Sequence, residues 1–268
     1  MIFRKIDLYE FYSIRKKRGA RAELFVYAWE NSPEFCENRR RPAILICPGG
    51  GYAMCSDREA EAIAFRFFAA GFQAFVLRYS VAPVRHPAQL AEAVLAVDYI
   101  RKNAEELKVI PDRIAACGFS AGGHLVGMLA TMADAPEVAA YVGERDGKPN
   151  ACILGYPVVT LGDGTYPTMP EIFLGNKKDD ETEIAKYSYP YNLSDMPATF
   201  AFYGEKDTAV DYSKNAEAIT AALKAAGKTA ECHAFSDAGH GIGLGESYAD
   251  YSRWFDLSVT FLQNALNA

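Results

Sequence analysis

Gly118-Phe119-Ser120-Ala121-Gly122 is the stretch that decides how this chain folds. The apolar run Arg113-Ile114-Ala115-Ala116-Cys117 precedes it, and Gly123-His124-Leu125-Val126-Gly127-Met128-Leu129-Ala130 follows. The first reads as a buried strand and the second as a helix, so the residues between them form a sharp strand-to-helix turn. Such a turn thrusts the serine hydroxyl out of the backbone at the top of a sheet. Its glycines let strand and helix approach closely, and the N–H after the serine faces the same space. A weak alcohol becomes an aimed nucleophile in this way.

The same rhythm extends on both sides. Ala43-Ile44-Leu45-Ile46-Cys47 is a short apolar run ending in Pro48-Gly49-Gly50-Gly51, and a helix-like stretch over residues 58–70 follows, closed by Gly71. Residues 73–79 read as the next strand. Residues 87–104 read as a helix, with Leu90, Val94, Val97 and Ile100 at helical spacing. Beyond the serine turn, 151–156, 198–203 and 229–235 read as strands, and 213–226 and 248–266 as helices. Apolar strands alternating with helices predict an α/β protein with a mostly parallel sheet covered on both faces. Two segments depart from this. Alternation in Ile6-Asp7-Leu8-Tyr9-Glu10-Phe11 and in Ala22-Glu23-Leu24-Phe25-Val26-Tyr27 predicts antiparallel edge strands within about 1–41. Residues of about 161–197, rich in Gly, Pro and Tyr with the charge run 177–181, predict a lid-like excursion between two strands. With 268 residues, half of them hydrophobic, one domain over 1–268 is expected.

Composition excludes several functions. A net charge of −6 argues against nucleic acid as the main partner, because phosphate binding needs a basic face. The basic runs at 15–18 and 39–41 read as solvated turns. None of the six cysteines forms a CxxC pair, and Cys47, Cys117 and Cys152 lie in apolar runs as small core residues. The N-terminal residues form no signal-like apolar segment, and no stretch is apolar for long enough to span a bilayer. The expectation is a cytoplasmic protein with free thiols and no membrane partner.

A serine nucleophile needs a base, and the base needs an acid to orient it. Among the four histidines, His240 lies in Asp237-Ala238-Gly239-His240-Gly241-Ile242, a glycine-flanked loop after the last strand, where an imidazole is presented at the sheet top. His124 on the helix after Ser120, His233 in a strand and His86 before Pro87 read as structural. Tyr203-Gly204-Glu205-Lys206-Asp207 follows the penultimate strand and supplies Asp207 as the acid, with Glu205 and Asp211 as competitors. For the oxyanion, Ala121 N–H is one donor by position, and the loop Pro48-Gly49-Gly50-Gly51-Tyr52 offers the other from Gly50 or Gly51. That loop lacks the Gly-Lys-Ser/Thr ending of a P-loop and the spacing of a dinucleotide site. Tyr52, Met54, Phe119 and Tyr156 are candidates for the pocket walls. The order Ser120, Asp207, His240 and this chemistry call for no metal and no organic cofactor.

Pro48-Gly49-Gly50-Gly51-Tyr52, Gly118 to His124, the turn from Gly204 to Asp207, and Gly239-His240-Gly241 resemble the α/β-hydrolase-fold esterases with an HGGG-type oxyanion loop. Within these, the chain is most similar to the acetyl esterase/acetylxylan esterase-like carboxylesterases, from about Pro42 onward. Tyr79-Ser80-Val81-Ala82-Pro83 and His86-Pro87-Ala88-Gln89-Leu90 add to the likeness. Cys47-Pro48 stands where lipase-type relatives often begin with His, which argues against the hormone-sensitive-lipase branch. The resemblance implies the α/β-hydrolase fold and hydrolysis of short-chain acyl esters, including O-acetyl groups on sugars, through an acyl-enzyme. It also admits a homodimer, since relatives are often dimers. The alternatives are a prolyl-oligopeptidase-type serine peptidase, for whose propeller the stretch before Pro42 is too short, and a hydrolase fold used only for binding.

Overall fold

The computed structural model describes residues 1–34, 36–188 and 193–267. Eight strands form one sheet: β1 (Ile2–Asp7), β2 (Glu23–Ala28), β3 (Arg41–Cys47), β4 (Gln73–Arg78), β5 (Val109–Phe119), β6 (Ala151–Gly155), β7 (Ala198–Gly204) and β8 (Ala230–Phe235). Their order is β1-β2-β4-β3-β5-β6-β7-β8. The pairs β1·β2 and β2·β4 are antiparallel, and all the others are parallel. The parallel strands are near-continuous apolar runs because helices cover both of their faces.

The crossovers place those helices. From β3 the chain steps to β4 through α2 (Glu61–Ala69), and from β4 it returns past β3 to β5 through α3 (Ala88–Lys102). Right-handed crossovers running in opposite directions put α2 on one face and α3 on the other. The step from β5 to β6 through α4 (Ala121–Met132) continues in the second direction, so α4 joins α3 and packs against it. At the C-terminus, α9 (Trp254–Asn267) lies with α2, joined by the Phe67–Phe255 ring contact at 4.8 Å. The chain therefore leaves β3 and β5, which are neighbours with Cys47 opposite Gly118, toward opposite faces. A crevice opens beyond their carboxyl ends, the place where open α/β sheets bind ligands.

Several local expectations need correction. Leu8–Phe11 is a short helix, α1, and not the continuation of β1. The Asp7 carboxylate accepts the N–H groups of Tyr9 (3.0 Å) and Glu10 (3.3 Å), and this cap turns the chain so that Leu8 and Tyr9 are buried. The stretch at 58–70 is divided: a 3-10 turn over Asp57–Glu59 is separated from α2 by Ala60, whose backbone (φ −110°, ψ −108°) is not helical. The stretch at 213–226 opens with π-type bonds over Ser213–Glu217 before α8 (Ala218–Ala225). The last helix begins at Trp254 and not near Tyr248, because the Asp237 carboxylate takes the N–H groups of Asp250 and Tyr251 (3.0 and 3.1 Å) and holds the preceding residues in turns. The excursion over about 161–197 contains α6 (Met169–Leu174) and α7 (Glu181–Lys186), while residues 189–192 within it lie outside the described residues. A further short helix, α5 (Pro136–Val142), lies between α4 and β6. Among the described residues, no single helix is long and apolar enough to cross a membrane.

Candidate active site

Ser120 stands between β5 and α4 with φ 51° and ψ −119°, a conformation that costs a residue with a side chain about 1–3 kcal/mol. Glycine makes the turn possible. A Cβ on Gly118 would collide with the carbonyl of Gly122, and one on Gly122 would collide with the carbonyl of Cys47 at the end of β3. These contacts press helix against strand and aim the hydroxyl over the crevice.

The three residues far apart in sequence meet there. Ser120 Oγ lies 2.8 Å from His240 Nε2, and His240 Nδ1 lies 2.6 Å from Asp207 Oδ2. Asp207 Oδ1 accepts the N–H groups of Ala209 (2.9 Å) and Val210 (3.0 Å), so its carboxylate is held at both ends and its side chain is 1% exposed. A carboxylate accepts only, so Nδ1 carries the imidazole proton and Nε2 is free to accept from the serine hydroxyl. The competing acids are elsewhere: Glu205 is exposed, and Asp211 bonds Ser213. The His240 loop is fixed by the Lys206 N–H to the Ala238 carbonyl (2.9 Å) and by the Tyr251 hydroxyl to the Gly243 carbonyl (3.1 Å).

The glycine loop leans on the same turn, since a Cβ on Gly49 would meet the Phe119 carbonyl at 2.6 Å and Ser120 Cβ at 3.0 Å. Gly49 N–H is already committed to Glu59 Oε2 at 2.8 Å. Gly50 and Gly51 line a cavity of about 450 Å³ together with Ser120 and His240. Among the described residues, neither of their N–H groups donates to another backbone group. Gly50 and Gly51 stand at the cavity as candidate donors, and Ala121, fully buried directly after Ser120, adds the positive end of the α4 dipole. The Tyr79 hydroxyl donates to the Pro48 carbonyl (2.5 Å) and fixes the loop from below.

The wall expectations are corrected at three of four positions. Met54 lines the cavity. Tyr52 does not: it is fully buried beneath the loop, and its hydroxyl lies 2.8 Å from His124 Nδ1. Phe119 packs among Phe202, Trp254 and Tyr156 in the core. Tyr156 is buried behind His240, with ring centroids 4.8 Å apart, and its hydroxyl donates to Glu59 Oε1 (2.7 Å) while accepting Gly243 N–H (3.1 Å). The excursion supplies one side of the wall through Tyr166, Thr168, Met169 and Ile172. Two neighbours passed over in the sequence also belong here: Arg58, in the cavity wall, and buried Glu59, which ties the glycine loop to Tyr156. Nothing in a two-residue charged pair at the start of a helix-like stretch signals either role.

His124, His233 and His86 are structural, as expected. Burial pushes the His124 pKa down to about 4, so the ring is neutral; its Nε2–H faces the Tyr187 carbonyl (2.6 Å) and its Nδ1 accepts from Tyr52. His233 stacks on Phe200, and His86 is packed between Phe173 and Tyr187. Among the described residues, no cluster of three or more His, Cys, Asp or Glu is arranged to hold a metal ion.

A mostly parallel sheet, a strained serine turn at its switch point, and an acid and a histidine delivered after β7 and β8 define an α/β hydrolase. The sequence pattern of the BD-FAE family matches residues 32–223, and the chain belongs to that family. It is 35% identical over 181 residues to endo-1,4-beta-xylanase B of Butyrivibrio fibrisolvens, a match covering 64% of this chain and 28% of that protein. To the acetylxylan esterase of Xylanibacter ruminicola it is 25% identical over 236 residues, covering 86% and 46%. The chain thus spans about a quarter to a half of the length of these curated relatives. The crystal structure of the acetyl ester-xyloside bifunctional hydrolase from Caldicellulosiruptor lactoaceticus superposes with a TM-score of 0.85 at 27% identity, covering 97% of this chain and 96% of that one.

Proposed function

We propose that the chain is a serine carboxylesterase that hydrolyses short acyl esters through an acyl-enzyme, with O-acetyl groups on sugars as the substrate class. The single observation that carries this reading is the hydrogen-bonded series Ser120–His240–Asp207, at 2.8 and 2.6 Å, on the floor of an open cavity. In the reaction, Ser120 Oγ attacks the ester carbonyl as its proton passes to His240 Nε2. Asp207 holds Nδ1–H and stabilises the imidazolium that forms. The carbonyl oxygen becomes an oxyanion and takes hydrogen bonds from Ala121 N–H and from Gly50 or Gly51 N–H; each such donor contributes about 2.7–4 kcal/mol to the transition state. His240 then returns the proton to the departing alkoxide. Water, activated by the same imidazole, attacks the acyl-serine, releases the acid and restores the hydroxyl.

The apolar residues Met54, Met169 and Ile172 in the cavity wall suit the acyl side of an ester, and the names of the relatives support a short acyl group on a carbohydrate. The test is hydrolysis of p-nitrophenyl acetate and release of acetate from acetylated xylo-oligosaccharides by the wild type and by Ser120→Ala. The expected result is turnover by the wild type, loss of nearly all of it in the variant, and labelling by a fluorophosphonate probe in the wild type alone. Equal activity in both proteins would sink the reading, and labelling without turnover of any ester would move it toward a binding role.

A further inference from the structure

Among the described residues, the wall of the Ser120 cavity holds a cation, Arg58, that no acid pairs with. Arg58 lines the cavity beside His240 and Gly241 and is exposed. Among the described residues, its guanidinium enters no ion pair, hydrogen bond or ring contact. The acids around it are taken. Asp57 and Glu61 both pair with Arg78, at 2.7 and 2.5 Å, and Glu59 is turned inward onto Gly49 and Tyr156.

Its position assigns it to one half of the substrate. Arg58 Nη2 lies 4.0 Å from where a Cβ would stand on Gly241, the residue after the catalytic-site histidine. In the reaction proposed above, His240 hands its proton to the departing alkoxide, so the alcohol half of the ester lies on the His240 side and the acyl half lies away from it. A guanidinium there faces the alcohol. Neutral hydroxyls need only a neutral donor, whereas a full unpaired charge with a planar fork of N–H groups suits a carboxylate bound by two parallel hydrogen bonds.

We propose that Arg58 is a specificity-determining residue for the alcohol half, favouring esters whose alcohol bears a carboxylate, such as acylated hydroxy acids and acylated uronic sugars. The inference rests on the esterase reading and goes beyond it by naming a charge on the leaving alcohol.

The test compares two acetate esters of similar leaving ability, 4-acetoxybenzoate and 4-acetoxybenzamide, each corrected for its spontaneous hydrolysis. The readout is the ratio of their kcat/KM values in wild type, Arg58→Gln and Arg58→Lys. A ratio of about 10 in the wild type, falling to about 1 in the glutamine variant and to an intermediate value in the lysine variant, is the expected result. The wild-type ratio should also shrink with added salt. A purely structural role would lower both esters together and leave the ratio unmoved, and that overturns the proposal. A second pair places the carboxylate on the acyl half: mono-4-nitrophenyl succinate against 4-nitrophenyl butyrate. If Arg58→Gln moves this ratio and spares the first, the assignment to the alcohol is wrong. Turnover of p-nitrophenyl acetate with a flat benzoate ratio defeats only the Arg58 proposal, while no turnover of any ester defeats the esterase reading and this inference with it.

Discussion

Glu59→Gln probes whether the glycine loop stabilises the oxyanion, because Glu59 is the link that holds the loop to the rest of the site. Glu59 is 2% exposed; its Oε2 accepts Gly49 N–H at 2.8 Å and its Oε1 accepts the Tyr156 hydroxyl at 2.7 Å. Glutamine has nearly the same shape but only one acceptor oxygen. If that oxygen faces Gly49, the new NH2 points at Tyr156 Oη, which already takes Gly243 N–H at 3.1 Å, and the phenol proton loses its acceptor. If it faces Tyr156, the NH2 confronts Gly49 N–H and the loop must move. Either way one buried hydrogen bond to a charged group is lost, at about 1.5–3 kcal/mol. At about 2–4 °C per kcal/mol for a chain of this size, Tm should fall by about 3–12 °C. Gly49 directly precedes Gly50 and Gly51, so a shifted loop also misplaces an oxyanion donor. Removing such a donor outright costs about 10²–10³ in rate, and a displaced one should cost about 10- to 100-fold. The oxyanion exists only in the transition state, so the loss should fall on kcat with KM little changed. Steady-state kinetics with p-nitrophenyl acetate, beside a thermal melt of the same preparation, measure both quantities. A kcat within twofold of the wild type together with the expected fall in Tm would refute the link between loop and catalysis.

Three further perturbations follow from the geometry. In Asp207→Asn, the asparagine oxygen should keep the amides of Ala209 and Val210, which turns its NH2 toward His240 Nδ1 and forces the imidazole proton onto Nε2. The expected result is a kcat lowered by about 10⁴ with an unchanged circular dichroism spectrum; retention of more than a tenth of the activity would mean that Asp207 does not set the tautomer. Glu92 is buried under Tyr9 and Ser80, which donate to it at 2.5–2.6 Å, and burial raises its pKa to about 7. The folded state therefore binds a proton between pH 4.5 and 7 that the unfolded state has released, so the stability from this group is complete below pH 4.5 and is lost as pH rises through 7. Unfolding free energies from urea titrations of wild type and Glu92→Gln between pH 5 and 8 should differ by up to about 3 kcal/mol in their change with pH, and parallel curves would contradict the assignment. Gly122→Ala drives a Cβ into the Cys47 carbonyl, so it should cost about 3 kcal/mol or more in stability, and a melt within 2–3 °C of the wild type would show that the turn relaxes at about 1 kcal/mol or less.

How far the residues could be read in advance follows from what fixes each of them. The serine turn was legible because its constraints are local: Gly118 and Gly122 sit where backbone meets backbone, and only a few residue types tolerate the neighbours that Ser120 has. The strands were legible because each is a short apolar run ending in a turn, and the meeting of Ser120, Asp207 and His240 follows once those strands are ordered side by side. The cavity walls were not legible for a different reason. Tyr52, Phe119 and Tyr156 are apolar and close in sequence to the reacting groups, but proximity does not say on which side of the backbone a ring falls. Tyr52 adopts φ 59°, and its ring lies beneath the loop against His124. Arg58 and Glu59 make the point most sharply. They are consecutive in a single tight turn, where each step rotates the side chain by about 120°. That rotation carries Glu59 into the core, where it holds the glycine loop, and leaves Arg58 in the cavity wall. The reacting atoms are set by backbone geometry, which short motifs record, while the choice of substrate is set by side-chain rotation about turns, which they do not. Two chains with the same Ser120, Asp207 and His240 pattern can therefore share a reaction and differ in the ester they prefer, and positions such as 58 and 169–172 are where that difference should be sought.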